Sequence, residues 1–425
     1  MTLQFGVGIE CTFIVHERAG MRRLEEFELM HHYEMWRSDL ELVAKLRSGE
    51  RRVTHLRWCF PWYRVEAQKG KFDFSWSDEV VAYAAELGIE LIPDIVHYGT
   101  PNWLEDAYFN ADYPQHVAEF AAACAQRYKG QIKYYTPFNE PGIGCMFSCE
   151  RGEWPPYQKS EEAYVRAMVQ IAEGVKQTTR AIKQVDSNAE CWAVEAMNNY
   201  RKATNAGAAA EARRRLLRDL ACWDLVHGKV HDQHDTHKWL TSNGISPKRV
   251  QQFLEQPIAM EVLGLNFYPW QSKTITADAS GGVTDEFELS GALLYDLLKD
   301  SFEHTGAKRL WVTETSAHGS GGAKSSAVLP VKEPDRRAAW LDGTLKAVEK
   351  ARAERIPVEG YIQFPLFSMV DWAYRHDSDS TTTPEDYYIN LGMIEVDPKT
   401  HERKWTPVAD RFLEHLGSAV GARRT

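Results

Sequence analysis

The sequence predicts an α/β fold: a single (β/α)8 barrel, the TIM-barrel arrangement, with extended loops on the face where its strands end. Two observations carry this expectation. Short apolar runs rich in β-branched and aromatic residues alternate with amphipathic segments down the whole chain, and the alternation repeats eight times. Strand followed by helix implies a parallel sheet, and eight such units is the number that closes on itself. The length agrees, because 425 residues exceed the size at which one open core stops growing, whereas a barrel with long loops reaches it. One catalytic domain over residues 1–425 is therefore expected, with a doubly wound open sheet as the competing arrangement.

The strand runs fall, in order, at 5–12, 53–60, 90–97, 134–139, 189–194, 262–267, 309–315 and 358–365. Helical segments follow them at 35–47, 78–87, 114–128, 160–185, 208–226, 291–305 and 335–355, and 407–416 closes the chain. Three polar or Gly-rich connections stand out at 198–208, 316–332 and 375–387. They follow strands 5, 7 and 8, which places them on the C-terminal face, where barrel active sites are assembled. The run Gly319-Ser-Gly-Gly322 follows a strand without opening a helix, so it reads as a flexible loop and not as a phosphate cradle.

Composition narrows the function. A formal net charge of −10 argues against nucleic acid, whose phosphates require clustered Lys and Arg. The short basic runs Arg213-Arg-Arg215 and Arg423-Arg424 read as a solvated helix face and a frayed terminus. No apolar run is long enough to span a bilayer. The seven cysteines, at 11, 59, 124, 145, 149, 191 and 222, are odd in number and lack paired metal-type spacing, so they read as free buried thiols in a reducing compartment. Residues 1–8 lead straight into a strand with no signal-peptide pattern, and the expected location is cytoplasmic. Fourteen tryptophans suit a protein that stacks indole rings on the flat C–H faces of sugars. No metal or organic cofactor is implied.

The chemistry sits on two glutamates. Glu140 ends the fourth strand run in Tyr134-Tyr-Thr-Pro-Phe-Asn-Glu-Pro141, and Glu314 ends the seventh in Leu310-Trp-Val-Thr-Glu-Thr315. Cleavage of a glycosidic bond with retention requires two carboxyl groups about 5 Å apart on opposite sides of the anomeric carbon. Ends of different barrel strands can supply them. Asn139 offers an amide to the neighbouring sugar hydroxyl, and Pro141 stiffens the turn that holds Glu140.

Asn-Glu-Pro after strand 4, with a second Glu after strand 7, resembles the clan A retaining β-glycosidases. The wider pattern is similar to glycoside hydrolase family 1, the β-glucosidase and β-galactosidase family. Arg57, Trp62 and Arg64 stand at that family's Arg-x4-Trp-x-Arg spacing; His97 ends strand 3; Gly264-Leu-Asn-Phe-Tyr268 resembles its Gly-x-Asn-Tyr-Tyr segment; Gly360-Tyr361 and Asp371-Trp372 follow its last strand and acidic-Trp pair. The resemblance implies Glu314 as nucleophile and Glu140 as acid/base. It also implies Arg57 and Tyr268 beside Glu314, holding it ionised while Glu140 stays protonated, and Asn139, His97, Asp371 and Trp372 around the glycone.

The sequence departs from the family on the sugar side. Glu10 is the one polar residue of reach where a Gln is usual, Tyr98 follows His97 in place of Trp, Phe364 replaces the last-strand Trp, Asp371 stands for Glu, and Glu314-Thr-Ser replaces Glu-Asn-Gly. The expected function is a retaining β-glycosidase acting on a small glycoside or oligosaccharide, with a sugar preference unlike that of an ordinary β-glucosidase. The alternatives are an endo-glycanase or transglycosylase on the same carboxylates, and a catalytically silent carbohydrate-binding protein on the same fold.

Overall fold

The computed structural model describes residues 2–201, 205–277, 283–325 and 336–418. Eight parallel strands form its centre: β1 (Gln4–Gly8), β2 (His55–Cys59), β3 (Glu90–Asp94), β4 (Tyr134–Tyr135), β5 (Glu190–Ala196), β6 (Val262–Asn266), β7 (Leu310–Glu314) and β8 (Val358–Gln363). They lie in the order β3-β2-β1-β8-β7-β6-β5-β4. The ring closes between its first and last members, where Asp94 bridges Thr136 and the Ile95 N–H donates to the Thr136 carbonyl at 2.8 Å. This is the (β/α)8 barrel that the eightfold alternation predicts.

The helices that follow each strand are α1 (His32–Lys45), α2 (Ser75–Glu86), α3 (Tyr113–Arg127), α4 (Glu161–Val185), α5 (Ala206–Val226), α6 (Leu294–Thr305), α7 (Arg336–Ala353) and α8 (Pro407–Ser418). Their starts have local causes. Ser160 caps α4 by accepting from the Ala163 N–H at 3.1 Å, with Glu161 and Glu162 in the first turn, where negative charge suits the helix dipole. Asn205 caps α5 in the same way, at 2.9 Å.

The strands are buried on both faces, which is why they read as nearly continuous apolar runs. Ile92, Tyr134, Trp192, Val194, Val262, Trp311, Ile362 and Phe364 fill the barrel interior as a cluster separate from the layer between strands and helices. Trp192 and Trp311 meet there at 4.8 Å between ring centroids. Space for them comes from small neighbours, since a Cβ at Gly360 would lie 2.2 Å from the Trp311 ring and one at Gly8 would lie 2.0 Å from Phe364. The interior is packed with side chains, and the strands end at the C-terminal mouth.

Several elements were not visible in the sequence. Part of the polar connection after β5 is a strand, Asn199–Arg201, joined to Ser272–Ala277 and Val283–Phe287 in a three-stranded sheet. Two helices, Asp235–Ser242 and Pro247–Glu255, lie between α5 and β6. The Gly319–Gly322 segment, read as a flexible loop, is tied to the connection after β8: the Gly319 N–H donates to the Asn390 carbonyl at 2.8 Å and the Gly322 N–H to that of Tyr388 at 2.7 Å. In the third connection, Asp377 accepts from Thr382 at 2.6 Å and from Tyr387 at 2.7 Å.

Arg213, Arg214 and Arg215 pair with Asp235, Glu211 and Asp285 on the surface. Residues 202–204 and 326–332 of the polar connections, and the pair 423–424, lie outside the described residues. Among the described residues no helix is long and apolar enough to cross a membrane.

Candidate active site

The mouth of the barrel is built by strand ends. β4 loses its regular ladder after Tyr135 because Pro137 has no N–H to give. The chain nevertheless stays in register: the Asn139 N–H donates to the Val96 carbonyl at 2.9 Å and the Glu140 N–H to that of Val194 at 3.1 Å. Glu140 then adopts φ 48° and ψ 68°, and Pro141 opens the short helix Pro141–Cys145. The left-handed conformation costs a non-glycine residue on the order of 1–2 kcal/mol and is retained where the surroundings fix it. Tyr98, just beyond β3, is also left-handed at φ 69°. These two residues meet, and the Tyr98 hydroxyl donates to Glu140 Oε2.

Glu314 is the last residue of β7. The β6–β7 register shifts between Leu265 and Asn266, so that Asn266 stands opposite Glu314. The Asn266 amide donates to Glu140 Oε1 at 2.7 Å and to Asn139 Oδ1 at 3.3 Å, while its own oxygen accepts from Thr313 at 2.7 Å. The irregularity thus aims the Asn266 side chain at Glu140.

Arg57, fully buried on β2, joins the two halves. One guanidinium nitrogen, Nη1, donates to Glu314 Oε1. The other, Nη2, donates to both oxygens of Asp94 at 3.0 and 2.9 Å and to Asn139 Oδ1 at 2.6 Å. The second oxygen of Glu314 accepts from the Tyr268 hydroxyl at 2.8 Å. With its oxygen held by Arg57 and Asn266, Asn139 turns its Nδ2 to His97 Nε2 at 3.2 Å and to the Tyr98 hydroxyl at 3.0 Å. His97 Nδ1 in turn meets Asp94 Oδ2 at 2.8 Å.

Glu10 lies beside His97, 3.8 Å from Nε2. Asp371 is buried where the hairpin of Met369–Val370 and Tyr388–Ile389 ends, and accepts from the Ala373 N–H at 2.9 Å. Trp372 belongs to an aromatic group with Tyr98 and Trp154, at ring distances of 5.5 and 5.1 Å. On the other rim Trp270 lies parallel to Tyr268 at 4.6 Å.

The structure thus brings together Glu140, Glu314, Asn139, His97, Arg57 and Tyr268 in one bonded network, with Glu10, Asp371 and Trp372 at its edge. Asn266, Tyr98, Trp154 and Trp270 were not assigned from sequence. Tyr98 carried a signal, as a departure from the family's His-Trp pair. Asn266 carried a signal as the Asn of Gly264-Leu-Asn-Phe-Tyr268, although its bond to Glu140 depends on a register shift.

Glu140 and Glu314 are 5% and 4% exposed, so burial dominates their acidity. It pushes Glu314 up to about 8, with Arg57 opposing the rise and the charge of Glu140 adding to it. It also raises Glu140, against the hydrogen bonds of Tyr98 and Asn266. The sequence-based expectation divided the two carboxyls through Arg57 and Tyr268 alone. In the structure burial raises both, and the charge of one carboxyl disfavours the charge of the other, while Arg57 lowers Glu314. Burial keeps both phenols, Tyr98 and Tyr268, well above their usual range and therefore as donors.

Cys11, Asp94 and His97 place potential metal-ligand atoms within 4.8 Å of one another. The Arg57 guanidinium against Asp94 puts a positive charge beside any cation there, so the donor set suits the Arg57 ion pair and not a metal.

The glycosyl hydrolase family 1 model matches residues 21–280. The chain belongs to glycosyl hydrolase family 1. The matched region contains Arg57, His97, Asn139, Glu140 and Tyr268 and ends before Glu314. Among curated proteins, the probable inactive beta-glucosidase 14 of Oryza sativa subsp. japonica is 29% identical over 139 residues, 31% of this chain and 26% of that protein. Beta-galactosidase BgaH of Haloferax lucentense is 30% identical over 80 residues, 18% of this chain and 11% of that one. The chain matches about a quarter of the length of the first of these relatives. Among solved structures, the family 1 β-glucosidase from Thermotoga maritima superposes with a TM-score of 0.81 at 16% identity, covering 99% of this chain and 98% of that one. The likeness is one of fold. In this family 1 chain Glu140 stands at the turn after β4 and Glu314 ends β7.

Proposed function

We propose that the protein is a retaining β-glycosidase working by double displacement on a small glycoside or oligosaccharide. The observation that carries this reading is the pairing of two buried carboxyls with separate partners: Glu314 with Arg57 and Tyr268, Glu140 with Tyr98 and Asn266. Glu314 attacks the anomeric carbon as the glycosidic C–O bond breaks, and the proton of Glu140 goes to the leaving oxygen. Glu140 then takes a proton from water, whose oxygen displaces Glu314 from the anomeric carbon. Arg57 and Tyr268 hold the nucleophile in place, and Asn139 faces the hydroxyl beside the reacting centre. Asp371, Trp372, His97 and Glu10 hold the rest of the sugar. The free, buried state of all seven cysteines supports a reducing, cytoplasmic location.

Screening the purified protein on aryl β-glycosides and β-linked disaccharides with product analysis tests the reading. Glu314→Gln abolishes turnover, and azide added to Glu314→Gly restores a fraction of it with an α-glycosyl azide as product. The name of the rice relative gives the silent reading its specific support. Absence of turnover by the wild type on every glycoside, with retained sugar binding, establishes that reading instead.

A further inference from the structure

We infer that the preferred glycone lacks a hydroxyl at position 2, because the phenol of Tyr98 already supplies the oxygen that Asn139 would bind there. This inference rests on the β-glycosidase reading above and narrows its substrate to 2-deoxy glycosides.

Asn139 has no hydrogen-bonding capacity left for a sugar. A carboxamide offers two acceptor sites on its oxygen and two N–H donors. Its Oδ1 accepts from Arg57 Nη2 at 2.6 Å and from Asn266 Nδ2 at 3.3 Å. A guanidinium only donates, so Arg57 fixes which end of the amide is the oxygen. Nδ2 is left facing the Tyr98 hydroxyl at 3.0 Å and His97 Nε2 at 3.2 Å. Asn139 is 0% exposed, against 5% for Glu140 and 4% for Glu314. The two carboxyls keep a share of the surface of the mouth, and the amide beside them keeps none.

The place of this amide follows from its bonds. Asn139 directly precedes Glu140, and Arg57 joins it to Glu314 through its other terminal nitrogen. It therefore stands beside both carboxyls that flank the anomeric carbon, where the nearest sugar hydroxyl is the one on C2. The Tyr98 oxygen meets both groups that such a hydroxyl would approach: it accepts from Asn139 Nδ2 and donates to Glu140 Oε2.

Tyr98 is held against withdrawal. Its ring lies against those of His97, Trp154 and Trp372 at centroid distances of 4.8, 5.2 and 5.5 Å. Its backbone is left-handed, and its carbonyl accepts from the Tyr108 hydroxyl. A phenol oxygen lies on the axis of ring rotation, so a ring flip leaves it in place. A 2-hydroxyl entering the site must therefore push the whole ring out of this aromatic group or be buried without the Asn139 donor, and a buried polar group without a partner is costly. A methylene at that position carries no such cost. Trp, usual at residue 98 in the family pattern, has no oxygen to offer Asn139, so the closure of the amide comes with this departure.

The test compares kcat/KM for 4-nitrophenyl β-D-glucopyranoside and β-D-galactopyranoside with that for the 2-deoxy counterpart of each, in the wild type and in Tyr98→Phe. A 2-deoxy glycoside is more reactive whatever the protein, because the electron-withdrawing oxygen beside the developing positive charge is gone. The decisive quantity is therefore the change in the deoxy-to-parent ratio between the two proteins. Any effect of the phenol on Glu140 bears on both members of a pair and cancels in that ratio. In the wild type the 2-deoxy substrate is expected to exceed its parent. Tyr98→Phe frees one Asn139 N–H, which a 2-hydroxyl pairs and a 2-deoxy sugar leaves bare, and the ratio is expected to fall by about tenfold, the scale of one buried hydrogen bond. Tyr98→Trp, which also lacks the phenol oxygen, is expected to give the same fall, with thermal melting confirming the fold of each variant. A parent sugar turned over by the wild type as well as or better than its 2-deoxy counterpart overturns the inference and leaves the β-glycosidase reading standing. So does a ratio that both variants leave unchanged. Absence of turnover on all of these substrates overturns the inference, and absence across the wider screen above overturns that reading with it.

Discussion

Replacing Tyr98 by Phe isolates one contact of Glu140, the proposed acid/base. The ring and its packing against Trp154 and Trp372, at 5.2 and 5.5 Å, are kept. What is lost is the hydroxyl that donates to Glu140 Oε2 and accepts from Asn139 Nδ2 at 3.0 Å. A hydrogen bond to a charged acceptor is worth about 1.5–3 kcal/mol. It acts on the ionised form, and Tyr98 is accordingly the strongest influence opposing the burial that raises Glu140. Its loss lets the Glu140 pKa rise further. At about 1.4 kcal/mol per pKa unit, the alkaline limb of kcat/KM, which reports deprotonation of the acid, moves up by roughly one unit or more. At the same time kcat falls wherever the second displacement, which needs Glu140 ionised, limits turnover. A pH–rate profile of wild type and Tyr98→Phe on one aryl glycoside reads both effects. An alkaline limb that stays in place or moves down refutes the assignment of Glu140 as the group Tyr98 holds.

Three further outcomes follow from the same geometry. Tyr268→Phe removes one of the two side-chain hydrogen bonds to Glu314 among the described residues and lowers kcat by roughly 10–100-fold, the range of one hydrogen bond to a charged group, with little change in the thermal midpoint. Arg57→Met leaves Asp94 and Glu314 buried without their counter-charge; activity is lost, and urea titration shows a destabilisation of about 3–5 kcal/mol. Trp311→Ala empties part of the barrel interior opposite Gly360 and destabilises by about 3–5 kcal/mol, also measured in urea. If Trp311→Ala retains wild-type stability, the plugged interior is not what supports the mouth.

The eight barrel strands were legible because a parallel sheet buries both faces and leaves unbroken apolar runs such as those around Trp192 and Trp311. The two glutamates were legible because their neighbours share the strand end with them. The short strand Asn199–Arg201 was not, because it exists only through pairing with Ser272–Ala277, some seventy residues away in sequence. The helices at 235 and 247 were missed because they are short, eight and nine residues, and lie in a polar stretch between α5 and β6. In the site, Arg57 and Tyr268 stand against Glu314 as the family pattern implied. The partners of Glu140 came from a left-handed Tyr98 and a register shift at Asn266, both set by tertiary geometry. Burial of both carboxyls likewise depends on the assembled mouth, which is why residue types alone did not give their coupled acidity.

The central claim is that Glu314 forms the covalent bond to the sugar and Glu140 handles the protons. Trapping with an activated 2-deoxy-2-fluoro β-glycoside, followed by proteolysis and mass spectrometry of the labelled peptide, tests it most directly. The 2-fluoro sugar is expected on Glu314, one per chain, with turnover blocked. A label on Glu140 or any other residue, or a substrate hydrolysed with inversion and no adduct, contradicts it.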